Sequence, residues 1–280
     1  MPLSNSTTRN VTGLERLLGR RRPLVMGILN ITPDSFSDGG RFLDPEAAVA
    51  HARQMIDEGA DIIDIGAEST RPYVGAEPVS LDDEIARLAP ALRAVVRLGA
   101  PVSIDSMKAE VAAWALAEGA AMLNDVWGLQ RDPAIARVAA EHGVPVIVMH
   151  NRENAAPALD IMADSEAFFR HSLDIAAKAG LAPENIVLDP GIGFGKTPEQ
   201  SIEVIARLPE LKSFGLPILV GLSRKRFINA VSPSKPQQRL GGSIAGNLVA
   251  VQAGVDIVRV HDVAETVQAL RVMAAIEKAR

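Results

Sequence analysis

The chain contains no cysteine among its 280 residues, which excludes disulfide bridges, zinc–thiolate sites and thiol nucleophiles. It also lacks an excess of basic charge. The net charge is −5, so the global basic field that would attract nucleic acid is absent. Any anion that the protein binds must therefore be held by a local cluster of donors.

Long apolar runs are missing as well. No stretch is long enough to cross a bilayer, and the N-terminal segment has no apolar h-region of the kind that marks a secretory signal. With 48% hydrophobic and 22% charged residues, the composition is that of an ordinary globular chain that can bury a core. We therefore predict a cytoplasmic enzyme or binding protein with neither nucleic acid nor a membrane as partner.

What the chain does contain is a regular alternation of short apolar segments and amphipathic helical segments. The alternation repeats about eight times, and the apolar segments are continuous, as expected of parallel strands buried on both faces. Eight repeats predict an α/β fold, a single-domain (β/α)8 TIM barrel over residues 23–280. Residues 1–22 are predicted to be an N-terminal extension, partly frayed. A doubly wound open sheet would show the same alternation and is the alternative.

Capping residues predict where several helices begin. Asp44 is a candidate N-cap with Pro45 at the first helical position, and Ser80 is a candidate N-cap for the next helix. Later in the chain we predict helices over residues 165–179 and 243–253.

Polar residues recur where the apolar strands end. In a barrel these ends all meet at one rim, which is where active sites lie. Each residue alone is equally consistent with an N-cap, a turn or a structural histidine, but their common position favours a site. They are Asn30, Asp105, Asn124, His150, Asp189, Arg259 and His261.

These residues divide by their chemistry. Asp105, Asn124 and Asp189 offer carboxylate and amide groups, which suit a flat heterocycle with N–H donors and a carbonyl, such as a pterin or purine edge. Lys225 can donate to the acceptors of the same ring. A second group of donors suits phosphate oxygens, and it consists of Thr70, Arg71, Arg259 and His261.

Two loops add weaker signals. Asn30 and Asp38 can supply oxygens to a hard cation such as magnesium, or they can simply form Asx turns. The glycine-rich loop over residues 191–196 matches neither the dinucleotide fingerprint nor the P-loop, and we interpret it as a close backbone approach to a ligand. Phe36 and Phe194 lie on loops, where an aromatic ring is better placed to shield a ligand than to fill the core.

Several motifs together resemble the dihydropteroate synthase family. Residues 27–40, Gly-Ile-Leu-Asn-Ile-Thr-Pro-Asp-Ser-Phe-Ser-Asp-Gly-Gly, resemble its first motif, and residues 64–72, Asp-Ile-Gly-Ala-Glu-Ser-Thr-Arg-Pro, resemble its second. The remaining motifs follow in family order at residues 104–108, 124–125, 188–196, 223–225 and 259–262. The resemblance runs from about Pro23 to the C-terminus.

The resemblance implies a (β/α)8 enzyme that joins a dihydropterin carrying a hydroxymethyl pyrophosphate to 4-aminobenzoate and releases pyrophosphate. It implies Mg²⁺ as cofactor and a homodimer formed through helices remote from the rim. The resemblance assigns pterin binding to Asp105, Asn124, Asp189 and Lys225, and magnesium binding to Asn30 and Asp38. It assigns pyrophosphate binding to Thr70, Arg71, Arg259 and His261. The aminobenzoate would contact Phe36, Pro72, Phe194, Lys225 and Arg226. The residues expected to carry the chemistry are Asp105, Asp189, Lys225, Arg259 and His261.

Some positions depart from the family pattern. Ala67 stands where a second glycine is common, Ile192 replaces a frequent Phe, and Arg226 stands where many members have Ser. The loop after His150 lacks the Met-Gln-Gly-x-Pro run of many members. Two alternatives stay open: a pterin-binding barrel that transfers a methyl group to a corrinoid, and a pterin-binding paralogue without catalytic activity. The first alternative is disfavoured by the presence of Asn30, Asp38, Lys225, Arg259 and His261.

Overall fold

The computed structural model of the protein describes residues 13–19, 22–31, 45–68 and 79–280. Over these ranges, strands and helices alternate as predicted. The strands are β1 (Leu24–Asn30), β2 (Ile62–Gly66), β3 (Val102–Asp105), β4 (Met122–Asp125), β5 (Val146–Met149), β6 (Ile186–Asp189), β7 (Leu219–Val220) and β8 (Ile257–Val260). The α-helices are α1 (Gly13–Leu18), α2 (Pro45–Glu58), α3 (Leu81–Val96), α4 (Ala109–Ala117), α5 (Ala134–His142), α6 (Ile161–Lys178), α7 (Pro198–Ala206), α8 (Arg226–Val231), α9 (Leu240–Gln252) and α10 (Val263–Lys278).

The eight strands form one parallel sheet in the order β6-β5-β4-β3-β2-β1-β8-β7. The two ends of this order also meet. Leu188 of β6 pairs with Ile218 in front of β7, and its N–H donates to the Pro217 carbonyl at 2.9 Å. The strands therefore surround a closed interior, which confirms the predicted TIM barrel and excludes the open sheet.

Side chains alternate between the two faces of each strand, so every second residue faces the barrel interior. At the lower end these inward positions form an apolar cluster that includes Leu24, Met26, Ile62, Met122, Ile147, Val187, Leu219 and Ile257. The residues between them pack outward against the helices in a second, larger cluster. Two positions further along several strands, the inward residues become polar, and this change of chemistry creates the site.

The lower end of the barrel is covered by α1. Its Leu14 is 1% exposed and belongs to the same apolar cluster as the inward residues of the strands. The sequence predicts residues 1–22 as an N-terminal extension, partly frayed, and within it residues 13–18 form a helix. The reason is that a barrel interior has an open end, and one leucine in this position removes apolar surface from water.

Two helices begin earlier than the sequence predicts. α6 begins at Ile161, where the Asp160 carboxylate accepts the N–H groups of Met162 and Ala163 at 3.1 and 3.0 Å. Ser165 lies inside that helix, and its hydroxyl donates to the Ile161 carbonyl. α9 begins at Leu240 instead of residue 243. A serine that bonds to the carbonyl four residues earlier sits inside a helix, and sequence alone does not distinguish it from a helix start.

No helix in the described ranges combines the length and the apolar composition needed to cross a membrane.

Candidate active site

The centre of the rim is an ion-pair network between strands that are far apart in sequence. The Arg259 guanidinium of β8 donates through Nε to Asp64 Oδ2 at 2.6 Å and through Nη2 to Asp105 Oδ2 at 2.8 Å. Asn124 of β4 donates from Nδ2 to the same oxygen of Asp64 at 3.1 Å. One arginine therefore connects β2, β3 and β8, and Asp64 orients the amide of Asn124.

Two carboxylate oxygens of this network are buried without a hydrogen-bond partner within the described residues: Asp64 Oδ1 and Asp105 Oδ1. A buried acceptor that lacks a donor costs about 1–3 kcal/mol, and more when it is charged. A ligand with N–H donors at this position would supply the hydrogen bonds that these two oxygens lack.

Burial also changes the ionisation of the pocket. It raises the pKa of Asp105 to about 7, although Arg259 opposes the rise, and neighbouring carboxylates including Asp64 add to it. The pKa of Asp189 is raised for the same main reason, and the N–H of Gly191, which donates to its Oδ1 at 2.8 Å, and the charge of Lys225 oppose the rise. Both carboxyl groups thus bind a proton more readily than exposed ones, and a donor-rich or cationic ligand would favour their ionised forms.

Lys225 approaches the pocket from the turn before α8. Its Nζ lies 4.1 Å from the centroid of the Phe194 ring, a cation–π contact with the glycine-rich loop. The preceding residue, Arg224, has a φ of +58°, which is unusual for a residue other than glycine. Two bonds hold this turn in place. Arg239 donates to the Arg224 carbonyl at 2.9 Å, and Ser243 Oγ accepts the Arg224 N–H at 2.9 Å.

The remaining predicted residues lie around this centre. His261 is half-buried just after β8, with Nδ1 3.0 Å from Ser223 Oγ. Arg226 is exposed at the first position of α8. Asn30 is half-buried at the end of β1, in register with Gly66 of β2. A side chain at Gly66 would lie 3.3 Å from the Asp105 side chain, so the absence of a Cβ keeps space beside that carboxylate.

Five predicted residues lie outside the described residues: Phe36, Asp38, Thr70, Arg71 and Pro72. Glu68, the described residue before position 69, contacts Val79, the described residue after position 78. One of its carboxylate oxygens accepts the Val79 N–H at 3.2 Å, and the other accepts from Lys108 Nζ at 2.7 Å. Lys108 also contacts the fully buried Glu84, and so connects Glu68 to α3.

The structure adds two residues to the predicted site. It also connects the residues predicted to bind the pterin with those predicted to bind phosphate. Asp64 is not among the predicted residues, although a carboxylate inside the apolar run Ile-Ile-Asp-Ile-Gly of β2 is the signal that could have found it. Lys196 is the second added residue. The sequence identifies it only as the last residue of the glycine-rich loop, and in the structure it is buried, 3% exposed. Arg259, predicted as a phosphate donor, contacts Asp105, predicted as a pterin acceptor, and so joins the two predicted groups.

Among the described residues, no cluster of three or more histidine and carboxylate side chains is arranged to hold a metal ion. Asn30 remains a hard oxygen donor at the rim, and its predicted partner Asp38 is one of the residues not described. Magnesium is commonly held by one or two protein oxygens together with substrate phosphates and water. The donor chemistry of Asn30 fits that mode and not a closed protein cage.

Polar side chains at the upper rim of a parallel barrel, with two buried carboxylate oxygens that have no partner among the described residues, are typical of a barrel protein that binds a ligand with N–H donors. The family model described as "Pterin binding enzyme" matches residues 26–261, and the chain belongs to this family. Dihydropteroate synthase of Bacillus subtilis (strain 168) is 46% identical over 258 residues, which are 92% of this chain and 90% of that protein.

Solved structures of dihydropteroate synthases agree with this placement. The Xanthomonas albilineans enzyme with 4-aminobenzoic acid is 44% identical, covers 91% of this chain and 93% of its own, and superposes with a TM-score of 0.87. The enzyme from the same organism in complex with 7,8-dihydropteroate is 42% identical with a TM-score of 0.83, covering 91% of this chain and 94% of its own.

Proposed function

We propose that the chain condenses a 7,8-dihydropterin carrying a hydroxymethyl pyrophosphate with 4-aminobenzoate, to give 7,8-dihydropteroate and pyrophosphate. The observation that carries this proposal is the Asp64–Arg259–Asp105 network with its two orphaned carboxylate oxygens. The complexes of similar enzymes with 4-aminobenzoic acid and with 7,8-dihydropteroate support the second substrate and the product.

The pterin would bind with its N–H groups toward the carboxylates. Asp105 and Asp189 supply acceptors from different strands of the rim, and Asn124, held by Asp64, supplies an amide. Lys225 lies close enough to Asp189 to affect its pKa and can donate to a ring acceptor. This donor and acceptor pattern fixes the ring plane, which in turn fixes the direction in which the leaving group departs.

Loss of pyrophosphate leaves positive charge delocalised into the dihydropterin ring. Asp105 and Asp189, as carboxylates, favour that charge, while a second group of side chains would hold the departing anion. This group consists of Arg259, His261, Thr70 and Arg71. Magnesium, when bound with the pyrophosphate, supplies charge neutralisation of the leaving group. Asn30, together with Asp38, would hold it.

The second substrate needs positioning more than activation, because an aniline nitrogen is a weak nucleophile. Phe194 and Lys225, whose ring centroid and Nζ are 4.1 Å apart, would form one side of the binding site for this aromatic acid. Phe36, Pro72 and Arg226 are proposed to complete it. No side-chain nucleophile is required in this scheme.

The reaction is tested by incubating the purified protein with the dihydropterin pyrophosphate, 4-aminobenzoate and magnesium, and by measuring both pyrophosphate and dihydropteroate. Equal amounts of the two products are expected. Pterin binding without either product would favour the non-catalytic paralogue. Methyl transfer from methyltetrahydrofolate to a corrinoid would favour the other alternative.

The magnesium assignment predicts a specific effect of Asn30→Ala. Loss of one oxygen ligand should raise the magnesium concentration needed for half-maximal activity, with the fold unchanged, because the cation then depends on fewer protein ligands. Titrating magnesium against the initial rate for the wild type and the variant measures this. Asn154→Ala, which changes an exposed asparagine, is the control. Asn151→Ala is unsuitable because the Asn151 side chain donates to the Val126 carbonyl. Identical magnesium curves for Asn30→Ala and Asn154→Ala would remove Asn30 from the metal site.

A homodimer is proposed through the face formed by α9 and α10. Val272 and Ile276 are 55% and 54% exposed there, and they line a cleft of about 480 Å³ with Leu248 and Met273. Exposed apolar side chains grouped on neighbouring helices are typical of an association surface, and this face is remote from the rim.

Light scattering should therefore give twice the mass of one chain for the wild type. Ile276→Asp should give a monomer, because a carboxylate would be buried at the interface without a partner. Val231→Asp on α8, where the residue is 72% exposed, is the control and should remain dimeric. A monomeric wild type at micromolar concentration would contradict the proposal.

A cytoplasmic location, and the absence of nucleic-acid and membrane partners, stay predictions from the sequence. They rest on the absence of a long apolar run and on the net charge of −5. Fractionation of cells that express the chain would test the location.

A further inference from the structure

Lys196 is a buried cation for which the proposed reaction has no role. It ends the glycine-rich loop after β6 and is 3% exposed. Its Nζ donates to the Gly191 carbonyl at 2.9 Å, to the Phe194 carbonyl at 3.2 Å and to His150 Nδ1 at 2.6 Å. The ammonium group thus lies beneath the loop and binds its first and middle parts.

His150 connects this ammonium to a carboxylate on α6. The ring is fully buried at the end of β5, and its Nε2 lies 3.0 Å from Asp164 Oδ2. Because Lys196 donates to Nδ1, the imidazole is neutral and Nε2–H donates to Asp164. Burial, followed by the charge of Lys196, lowers the pKa of His150 to about 3, in agreement with this neutral form. Asp164 is held in turn by Arg152 at 2.7 Å.

The loop that Lys196 holds is tightly packed and carries two groups of the site. A Cβ at Gly191 would lie 1.9 Å from the His150 carbonyl, and one at Gly195 would lie 2.3 Å from the Arg152 carbonyl. The loop therefore lies directly against the segment after β5. The N–H at its start donates to the Asp189 carboxylate, and its aromatic ring contacts the lysine of the turn before α8. A shift of this loop would remove the Gly191 N–H from the Asp189 carboxylate and displace the Phe194 ring.

We propose that Lys196 is a positioning residue for the reaction and that His150 and Asp164 hold it in place. The ammonium group of Lys196 fixes the glycine-rich loop and so positions Phe194 for the second substrate. This inference rests on the proposed function. Lys196 touches neither substrate in this scheme, and it acts through the carbonyls of Gly191 and Phe194.

The charge of Lys196 depends on pH in the range where the enzyme would be assayed. Burial lowers the pKa of Lys196 to about 7, against the favourable charges of Asp189 and Asp164, while Lys225 and Arg152 lower it further. The neutral His150 ring is the other titratable group in contact with the ammonium. As pH rises through this value, the amine loses a proton and its charge-assisted bonds to the two carbonyls weaken.

The test compares Lys196→Met with Lys178→Met, which removes an exposed lysine on α6. For each protein, kcat and KM for 4-aminobenzoate are measured from pH 6 to pH 9. We expect Lys196→Met to raise KM for 4-aminobenzoate about tenfold or more at pH 6, with a smaller change in kcat, because misplaced contacts reduce binding of the second substrate. Lys178→Met should match the wild type.

The pH dependence separates positioning from a merely structural effect. The KM ratio of Lys196→Met to wild type should fall toward one as pH rises, because the wild type loses the same charge, and substrate ionisation cancels in the ratio. A ratio that stays constant with pH, or a variant equal to Lys178→Met, would overturn the inference. A wild type without activity would instead overturn the proposed function.

Asp164→Asn provides a second variant if Lys196→Met does not fold. It keeps an acceptor for His150 but removes a charge that raises the pKa of Lys196. The KM of Asp164→Asn for 4-aminobenzoate should then begin to rise at a lower pH than the KM of the wild type. An unchanged pH profile in a folded Asp164→Asn would also contradict the role of the network.

Discussion

Replacing Arg259 by methionine is expected to lower the free energy of unfolding by about 3–5 kcal/mol and to abolish activity. Arg259 is the cation between Asp64, which is fully buried, and Asp105, which is 8% exposed. Methionine fills similar space but leaves both carboxylates without their charged donor. The cost arises from two carboxyl groups left in the interior without their cation more than from the loss of a favourable contact.

The effect of this substitution should depend on pH in a defined direction. Asp105 already has a pKa of about 7, compared with an ordinary value of 3.8, and removal of Arg259 would raise it further. A carboxyl group with a raised pKa in the folded state binds protons more strongly there than in the unfolded chain. Stability is therefore lost as pH rises from about 4 through 7, so the deficit of Arg259→Met should be smaller at pH 5 than at pH 8.

Urea unfolding of wild type and Arg259→Met at both pH values measures this deficit. Arg170→Met is the matched control, because Arg170 forms an exposed pair with Glu166 within α6. Exposed pairs of this kind contribute about 0.3–0.5 kcal/mol, so the control should stay near the wild type at both pH values. If Arg259→Met were as stable as Arg170→Met, the network would not be a structural centre of the site.

The second large effect is expected for Asp189→Asn, which should weaken pterin binding by about 1.5–3 kcal/mol, or about tenfold to 150-fold in Kd. Asp189 Oδ1 accepts the Gly191 N–H at 2.8 Å, and this bond would select the orientation of the new amide. With the amide oxygen on that N–H, the substituted side chain would present its NH₂ group to the ligand. Where the pterin offers donors, two donors would then face each other.

Calorimetry with a pterin that lacks the pyrophosphate isolates this effect from the anion and metal contacts. Asp160→Asn is the control, since Asp160 caps α6 and asparagine caps a helix about as well as aspartate. Wild-type affinity in Asp189→Asn would remove Asp189 from the pterin site. Equal losses in both variants would indicate a general effect on the fold.

The sequence by itself determined the architecture and most of the residues at the rim. Continuous apolar strands that alternate with amphipathic helices can bury all their surfaces in few ways, and eight repeats close a barrel. Polar residues at strand ends must then meet at one rim, whatever the details of packing. This is why Asp105, Asn124, Asp189 and Arg259 could be predicted together.

Only the tertiary structure decided which of these groups are partners. Arg259 and Asp64 are 195 residues apart, and their contact depends on the register around the ring and on the parity of each strand. Shifting one strand by a single residue would turn Asp64 outward. The pairing of Lys196 with His150, across 46 residues, likewise requires β5 and β6 to be neighbours. Local sequence patterns show whether a segment forms a strand or a helix. The partner of a buried charge depends on distances between elements, and these are fixed only when the barrel has closed.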